Sequence, residues 1–343
     1  MTAGPRVLVI QTAFLGDVVL TTPLFGALKE LWPASHVAAL VIPETAPILA
    51  GLPALDEVIR HDKRAGGLNE LGRVVREVRA KKFDVVVSPH RSARSSLIAR
   101  LSGAPRRVGY RESALPFLYT ERVRRPLERH EAERILALAE AMGTRHPDRR
   151  PTLALSEEER RAARAAAGAV PYVVISPSSA WPTKRWSAEG FAAVGDYLAA
   201  RGYGVVITGG PGEGGEAAAV AAAMNAAAVN LAAKTTPREL AALVAEAALL
   251  VANDSAPVHV ASAFDTPTVA VFGATVPAQG FAPLATRAAV AEVRGLPCRP
   301  CGAHGGVECP KKHFRCMKDL SPADVISAAE AVLTRRPTVQ PGG

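Results

Sequence analysis

Cysteine is scarce in this chain, with four among 343 residues. That is too few for a fold held by a disulfide framework. Aromatic residues are scarce too, at 5%, which leaves few platforms for stacking nucleobases. No stretch of about 18–20 residues lacks a polar interruption. Even Val7 to Leu20 carries Gln11 and Asp17, so no membrane-spanning helix is expected. Asp17 also argues against a signal peptide, as does the lack of a small-residue cleavage site after it, so a cytoplasmic protein is expected. No Gly-x-Gly-x-x-Gly follows the first apolar run and no Walker A motif is present, which argues against NAD, FAD and P-loop chemistry. What is there is a globular composition, 48% hydrophobic and 21% charged, on a chain long enough for two domains.

The net charge of +9 is unevenly placed. Residues 1–150 hold 24 basic and 16 acidic side chains, whereas residues 151–343 hold 17 and 16. Within the first half, Arg91, Arg94, Arg100, Arg106, Arg107, Arg111, Arg122, Arg124 and Arg125 are set against only Glu112 and Glu121. A field of this kind draws in an anionic partner. The alternative is a solvated face.

Strand-length apolar runs alternate with helical stretches. Val7–Ile10, Val37–Ile42, Asp84–Ser88, Tyr172–Ser176, Gly204–Thr208, Val229–Leu231, Leu249–Ala252 and Thr268–Phe272 read as strands. Stretches near 18–31, 188–201, 213–225 and 237–247 read as helices. This alternation predicts an α/β fold of parallel sheets with helices on both faces. A linker is expected in 145–171, where Pro147, Pro151, Gly168 and Pro171 surround a charged helix over Glu157–Ala167. Gly66 and Gly67 mark a loop, and the tail 335–343 is expected to fray.

Three motifs fall directly after strands, where doubly wound sheets bind ligands. Phe14-Leu15-Gly16-Asp17 opens a helix, so Asp17 reads either as a capping residue or as a general base. Ser176 to Trp186 contains Ser178, Ser179, Thr183 and Lys184, hydroxyls and a cation suited to phosphate oxygens. Asn253-Asp254-Ser255-Ala256-Pro257-Val258-His259 reads as an anion-binding helix start, with His259 either a ligand contact or core. Gly273 and the Gly209–Glu213 segment also sit at strand ends.

Taken together these segments resemble the bacterial lipopolysaccharide heptosyltransferases, glycosyltransferase family 9. The pieces that carry the resemblance are Gly16 to Pro23, His90-Arg91-Ser92-Ala93-Arg94-Ser95, Arg107-Val108-Gly109-Tyr110, Lys184-Arg185-Trp186 and Asn253 to His259. They run in family order over roughly residues 5–335. The first segment is most similar to the ADP-heptose:LPS heptosyltransferase II branch. The resemblance implies a GT-B fold, two Rossmann-like doubly wound domains facing a central cleft. The domains are expected at 1–165 for the acceptor and 170–320 for the nucleotide sugar, with a C-terminal helix over 321–336 packing back toward the first. It further implies an inverting transfer of heptose from ADP-L-glycero-D-manno-heptose to the lipopolysaccharide inner core.

By position, the resemblance makes Asp17 the catalytic base and Lys184 the diphosphate lysine. Ser178, Ser179, Thr183, Asp254, Ser255, Ala256, His259 and Gly273 would line the nucleotide-sugar site, and Glu213 or Glu216 would take the ribose. Arg91, Arg94 and Arg107 would meet the acceptor's phosphates and carboxylates. Lying near a helix N-terminus, Asp17 is expected to be a weak base, with a pKa of about 3.9 or lower. No cofactor is required, and magnesium is left open. The partners implied are the nucleotide sugar and a lipid acceptor, with peripheral residence at the inner face of the cytoplasmic membrane and no nucleic acid. The competing readings are transfer of a related nucleotide sugar, a nucleotide-sugar epimerase, and a basic nucleic-acid-binding protein without activity.

All four cysteines lie in Cys298-x2-Cys301-x7-Cys309-x6-Cys316. Such a cluster reads as a structural zinc knuckle, a disulfide pair set or free thiols.

Overall fold

The computed structural model describes residues 4–64, 67–145, 148–168 and 171–334. Gly66, part of the linker (146–147, 169–170) and the tail 335–343 lie outside the described residues. The chain forms two compact units, 1–154 and 155–343.

The first unit runs β1 (Arg6–Ile10), α1 (Leu15–Leu31), β2 (His36–Val41), β3 (Glu57–Arg60), α2 (Gly67–Ala80), β4 (Val85–Ser88), α3 (Ala93–Leu101), β5 (Arg106–Tyr110), β6 (Glu121–Val123) and α4 (Glu131–Glu140). Its strands pair in parallel in the order β3-β2-β1-β4-β5-β6. Val7, Leu8, Val9 and Ile10 are all fully buried. Such a continuous apolar run marks a central strand covered on both faces.

The second unit runs α5 (Glu157–Ala167), β7 (Tyr172–Ser176), α6 (Ala188–Ala199), β8 (Gly204–Ile207), α7 (Gly214–Ala223), β9 (Val229–Asn230), α8 (Pro237–Ala245), β10 (Leu249–Asn253), α9 (Ala256–Phe264), β11 (Thr268–Phe272), β12 (Ala288–Glu292), α10 (Arg315–Lys318) and α11 (Pro322–Thr334). Its parallel order is β12-β11-β10-β7-β8-β9. Numbered within their own units, both sheets have the Rossmann-like order 3-2-1-4-5-6. The winding therefore reverses between β1 and β4 in one unit and between β7 and β10 in the other. Ligands of such sheets bind beyond the strands' carboxyl ends at that reversal.

One sequence expectation shifts. The break falls between Ala154 and Leu155, before α5 rather than after it. Charge explains this: Arg160 and Arg164 of α5 reach Glu246 at 2.6 and 2.5 Å, and Arg238 of α8 reaches Glu159. The terminal helix α11 was expected to pack toward the first half. Its buried residues Val325, Ala329 and Val332 enter the second unit's core, where they complete the apolar cover of that sheet.

Candidate functional site

In the first unit the reversal point carries Asp17, three residues into α1 and seven after the end of β1. α1 is held deep in the fold, with Val18, Val19, Leu20, Leu24 and Leu28 buried. Pro23 lies inside it and has no N–H for the carbonyl of Val19. The Thr22 hydroxyl takes that carbonyl at 2.8 Å, so the helix continues without an orphaned acceptor. One residue earlier, Thr21 donates to the Asp17 carbonyl at 2.7 Å and accepts from the Gln11 amide at 3.0 Å. The turn that bears Asp17 is thus tied to the end of β1.

Burial pushes the Asp17 pKa up to about 6, and the nearby Glu131 charge adds to this. The backbone amides of Phe14 and Asp17 and the Arg125 guanidinium pull the other way and lose. The low pKa expected from the helix N-terminus is therefore corrected. The dipole contributes only a fraction of a unit to about one unit, whereas desolvation of a carboxylate outweighs it here.

The loop after β4 faces the same end of the sheet. His90 is largely buried, and its Nδ1 lies 3.0 Å from Thr12 Oγ1 and 2.9 Å from Ser95 Oγ. Burial, with Lys63 and Arg91 close by, pushes its pKa down to about 4. The imidazole is neutral at pH 7, and Ser92 caps α3 beside it. Lys63, which sequence reading did not single out, donates to the Thr12 carbonyl at 2.7 Å. Its pKa is lowered by burial and by Arg64 and Arg94, and the Asp17 charge acts back on it.

The three arginines assigned to the acceptor separate. Arg91 is exposed beside His90. Arg94 is anchored by a 2.8 Å bond to the Lys63 carbonyl. Arg107 does not join them. It lies near the amino end of β5, the wrong end of a parallel sheet, and donates to the carbonyls of Ala104 (2.6 Å) and Leu118 (3.1 Å). The rest of its motif is packing. Gly109 gives the Tyr119 ring its seat, since a Cβ there would stand 2.6 Å from the ring. The Tyr110 hydroxyl donates to the Arg134 carbonyl. Further along the basic stripe, Arg106 pairs with Glu121 and Arg125 with Glu131. Much of the charge that suggested an anionic partner therefore holds the fold.

In the second unit the loops after β7 and β10 converge. Lys184 Nζ lies 2.6 Å from Asp254 Oδ2, and Thr275 donates to the same oxygen at 2.7 Å. The Asn253 side chain joins the two loops, accepting from Trp186 N at 3.1 Å and donating to the Pro177 carbonyl. Ser178 and Ser179 are buried, and among the described residues Ser178 Oγ has no hydrogen-bond partner. Such an orphan costs about 1–3 kcal/mol unless something satisfies it. Ser255 precedes α9 but does not cap it by its side chain, and Ala256 is the first helical residue. First-turn N–H groups without a side-chain cap suit an anion. His259 is buried in α9, its ring 6.1 Å from that of Phe281.

Other assigned positions are engaged elsewhere. Glu213 accepts from Gly210 N at 2.6 Å within its own turn, and Glu216 pairs with Arg185. Gly273 provides room for Met317, whose methyl would meet a Cβ at 2.2 Å. Thr183 exchanges hydrogen bonds with Gly306 at 2.7–3.1 Å. The four cysteines are free thiols. Among the described residues no three His, Cys, Asp or Glu side chains are placed to hold a metal ion.

Residues 71–311 match the model of glycosyltransferase family 9 (heptosyltransferase). Lipopolysaccharide heptosyltransferase 3 of Escherichia coli is 31% identical over 76% of this chain and 82% of its own length. The solved family 9 glycosyltransferase of Veillonella parvula is 28% identical, with a TM-score of 0.86 over 96% of this chain and 97% of that one. The ADP-heptose LPS heptosyltransferase II structure from E. coli is 24% identical, with a TM-score of 0.81 over 96% and 98%. The fold is α/β of the GT-B class, with two Rossmann-like sheets in one chain.

Proposed function

The chain belongs to glycosyltransferase family 9, the heptosyltransferases, and from that we propose that it transfers heptose from ADP-L-glycero-D-manno-heptose to the lipopolysaccharide inner core. Transfer proceeds by one displacement with inversion. The acceptor hydroxyl oxygen bonds to the anomeric carbon as the bond from that carbon to the diphosphate oxygen breaks. ADP leaves with the electron pair. The hydroxyl proton passes to Asp17.

The observation that carries this reading is the Asp17 carboxyl at the reversal point of the first sheet, with its pKa raised to about 6. It is ionised at neutral pH, yet a stronger base than an ordinary aspartate. General-base catalysis of this kind contributes about 10²–10⁴-fold. In the second unit, Lys184 and the first-turn N–H groups of α9 stabilise the negative charge growing on the departing diphosphate. The Ser178 hydroxyl gains its missing partner there. Asp254 fixes the Lys184 ammonium and stays clear of the phosphates. Arg91 and Arg94 meet anionic groups of the acceptor and speed its encounter.

Among the described residues no helix is long and apolar enough to cross a membrane. The protein reaches its lipid acceptor by peripheral contact at the inner face of the cytoplasmic membrane. The cysteines take no part in the chemistry.

The test is ADP release from ADP-heptose, with and without heptose-deficient lipopolysaccharide, for wild type and Asp17→Ala. Acceptor-dependent release that collapses in a folded Asp17→Ala supports the reading. Undiminished release in that variant removes Asp17 from the mechanism, and no release in the wild type removes this donor.

A further inference from the structure

Between β12 and α10 the chain runs from Val293 to Phe314 with no helix or strand. Loops longer than about 12–15 residues without their own secondary structure are uncommon in compact domains. No residue from Val293 to Arg315 is buried, and only the segment's ends, Val293, Leu296 and Phe314, pack against the second unit's core. Its backbone is nonetheless demanding: Lys312 and Phe314 adopt positive φ (58° and 53°), as do Gly302 and Gly305. Residues 297–313 between those ends have no such apolar anchor.

The segment is also fastened to the donor site. Gly306 exchanges hydrogen bonds with Thr183, the neighbour of Lys184. Gly305 lies so close that a Cβ there would stand 2.8 Å from Thr183 Oγ1. His304 stacks on Trp181 at 6.2 Å. Cys301 N donates to the Ala274 carbonyl at 2.8 Å, and Arg299 binds the carbonyls of Gly273 and Thr275.

All four cysteines of the chain lie on this segment and the helix that closes it. The Cys301 thiol donates to the Cys298 carbonyl at 3.2 Å, so the first two lie within one tight turn. A dication takes such thiols as thiolate ligands. His313 is arranged to support one of them. Its Nδ1 accepts from Arg315 N at 3.0 Å, which leaves the proton on Nε2, 3.8 Å from Cys298 Sγ. The ring therefore serves as a hydrogen-bond donor to the sulfur rather than as a ligand, the usual role of an outer partner in a thiolate metal site.

We propose that Cys298, Cys301, Cys309 and Cys316 hold one thiophilic divalent ion of the Zn²⁺ class, and that this knuckle fixes the Gly305–Gly306 turn against which Thr183 and Lys184 are set. The sulfurs are not preassembled at ligand distance. Binding draws them together, releases thiol protons and supplies the cross-link that the apolar side chains do not. The ion touches neither nucleotide nor sugar. The coupling to donor binding rests on the reading of Lys184 given above, whereas the metal site does not.

The experiment measures metal content of the full-length protein, prepared in reducing buffer without chelator, by mass spectrometry. The expected result is about one zinc per chain. Cobalt exchanged into the protein gives the intense sulfur-to-cobalt charge-transfer absorption of a tetrahedral thiolate site. Cys309→Ser loses both signals. His313→Gln, a milder change, keeps the fold and weakens metal affinity about tenfold. ADP binding by calorimetry then weakens on chelation and recovers when zinc alone is restored. Protein that carries no metal and takes up no cobalt, or whose cysteines are paired as disulfides, overturns the site. Metal loss that leaves ADP affinity unchanged overturns the coupling alone. Absence of ADP binding to the zinc-loaded protein overturns the donor reading instead.

Discussion

The Lys184 ammonium and the Asp254 carboxylate meet at 2.6 Å, and both side chains are largely buried. The pair joins the loop after β7 to the loop after β10, the two strands between which the second sheet reverses. A cation held this way is preorganised for a diphosphate, since it need not search for its position when the ligand arrives. The arrangement also has a cost. Removing one member of a largely buried pair leaves the other charge without compensation.

Lys184→Met therefore loses donor binding and stability together. The expected destabilisation is about 3–5 kcal/mol. The double variant Lys184→Met/Asp254→Asn recovers most of that stability in denaturant unfolding while its transfer rate stays as low as that of the single variant. Recovery of transfer in the double variant contradicts the assigned role.

Asp17 links activity to pH. Its pKa of about 6 places the acidic limb of kcat/KM there, with activity falling about tenfold per pH unit below it. Glu131 raises that pKa, so Glu131→Gln shifts the limb to lower pH. An unmoved limb in a folded Glu131→Gln protein assigns it to another group.

Stability responds in the opposite sense. The folded protein keeps a proton on Asp17 between pH 3.8 and about 6, where the unfolded chain has released it. Stability is thus lost as pH rises through that window, and the loss is complete above about 6. Asp17→Asn removes the penalty. At pH 7 the variant is expected to be inactive yet more stable by about 1–2 kcal/mol after allowance for solvent screening, with no gain at pH 4. Thermal melts at the two pH values check this.

Arg91 and Arg107 are expected to part company. Arg91→Gln raises the acceptor KM and flattens its dependence on salt. Arg107→Gln lowers the melting temperature, because two backbone carbonyls lose their donor, and leaves both acceptor parameters as they were. Steady-state kinetics across ionic strengths separates the two.

Gly109→Ala is a packing test of the same motif. The added methyl meets the Tyr119 ring at 2.6 Å and costs about 1–3 kcal/mol of stability, read as a lower unfolding midpoint.

The central strands β1, β7, β10 and β11 were legible because uninterrupted apolar runs leave little alternative in a two-sided parallel sheet. Of the outer strands, β9 was read, whereas β3, β5, β6 and β12 were not. β3, β5 and β6 carry Glu57, Arg106 and Glu121 at their edges, and their apolar runs are too short to stand out. The placement of Asp17, Lys184 and Asp254 in segments that follow central strands was legible, because those strands were. Lys63, Thr275 and Gly306 were not, since tertiary contact alone brings them to the site. Arg107 shows the converse, a motif residue whose contribution is structural. The Asp17 pKa was misjudged because a helix N-terminus is visible in a sequence and the degree of burial is not.

The seam between Ala154 and Leu155 has a practical consequence for anyone dissecting the chain. A second unit started at Tyr172, where its first strand begins, would leave behind α5 and with it the partners of Glu246 and Arg238. It would also uncover the apolar side of α8 that α5 shields. Started at Leu155, the fragment keeps that helix and its three arginine–glutamate clasps.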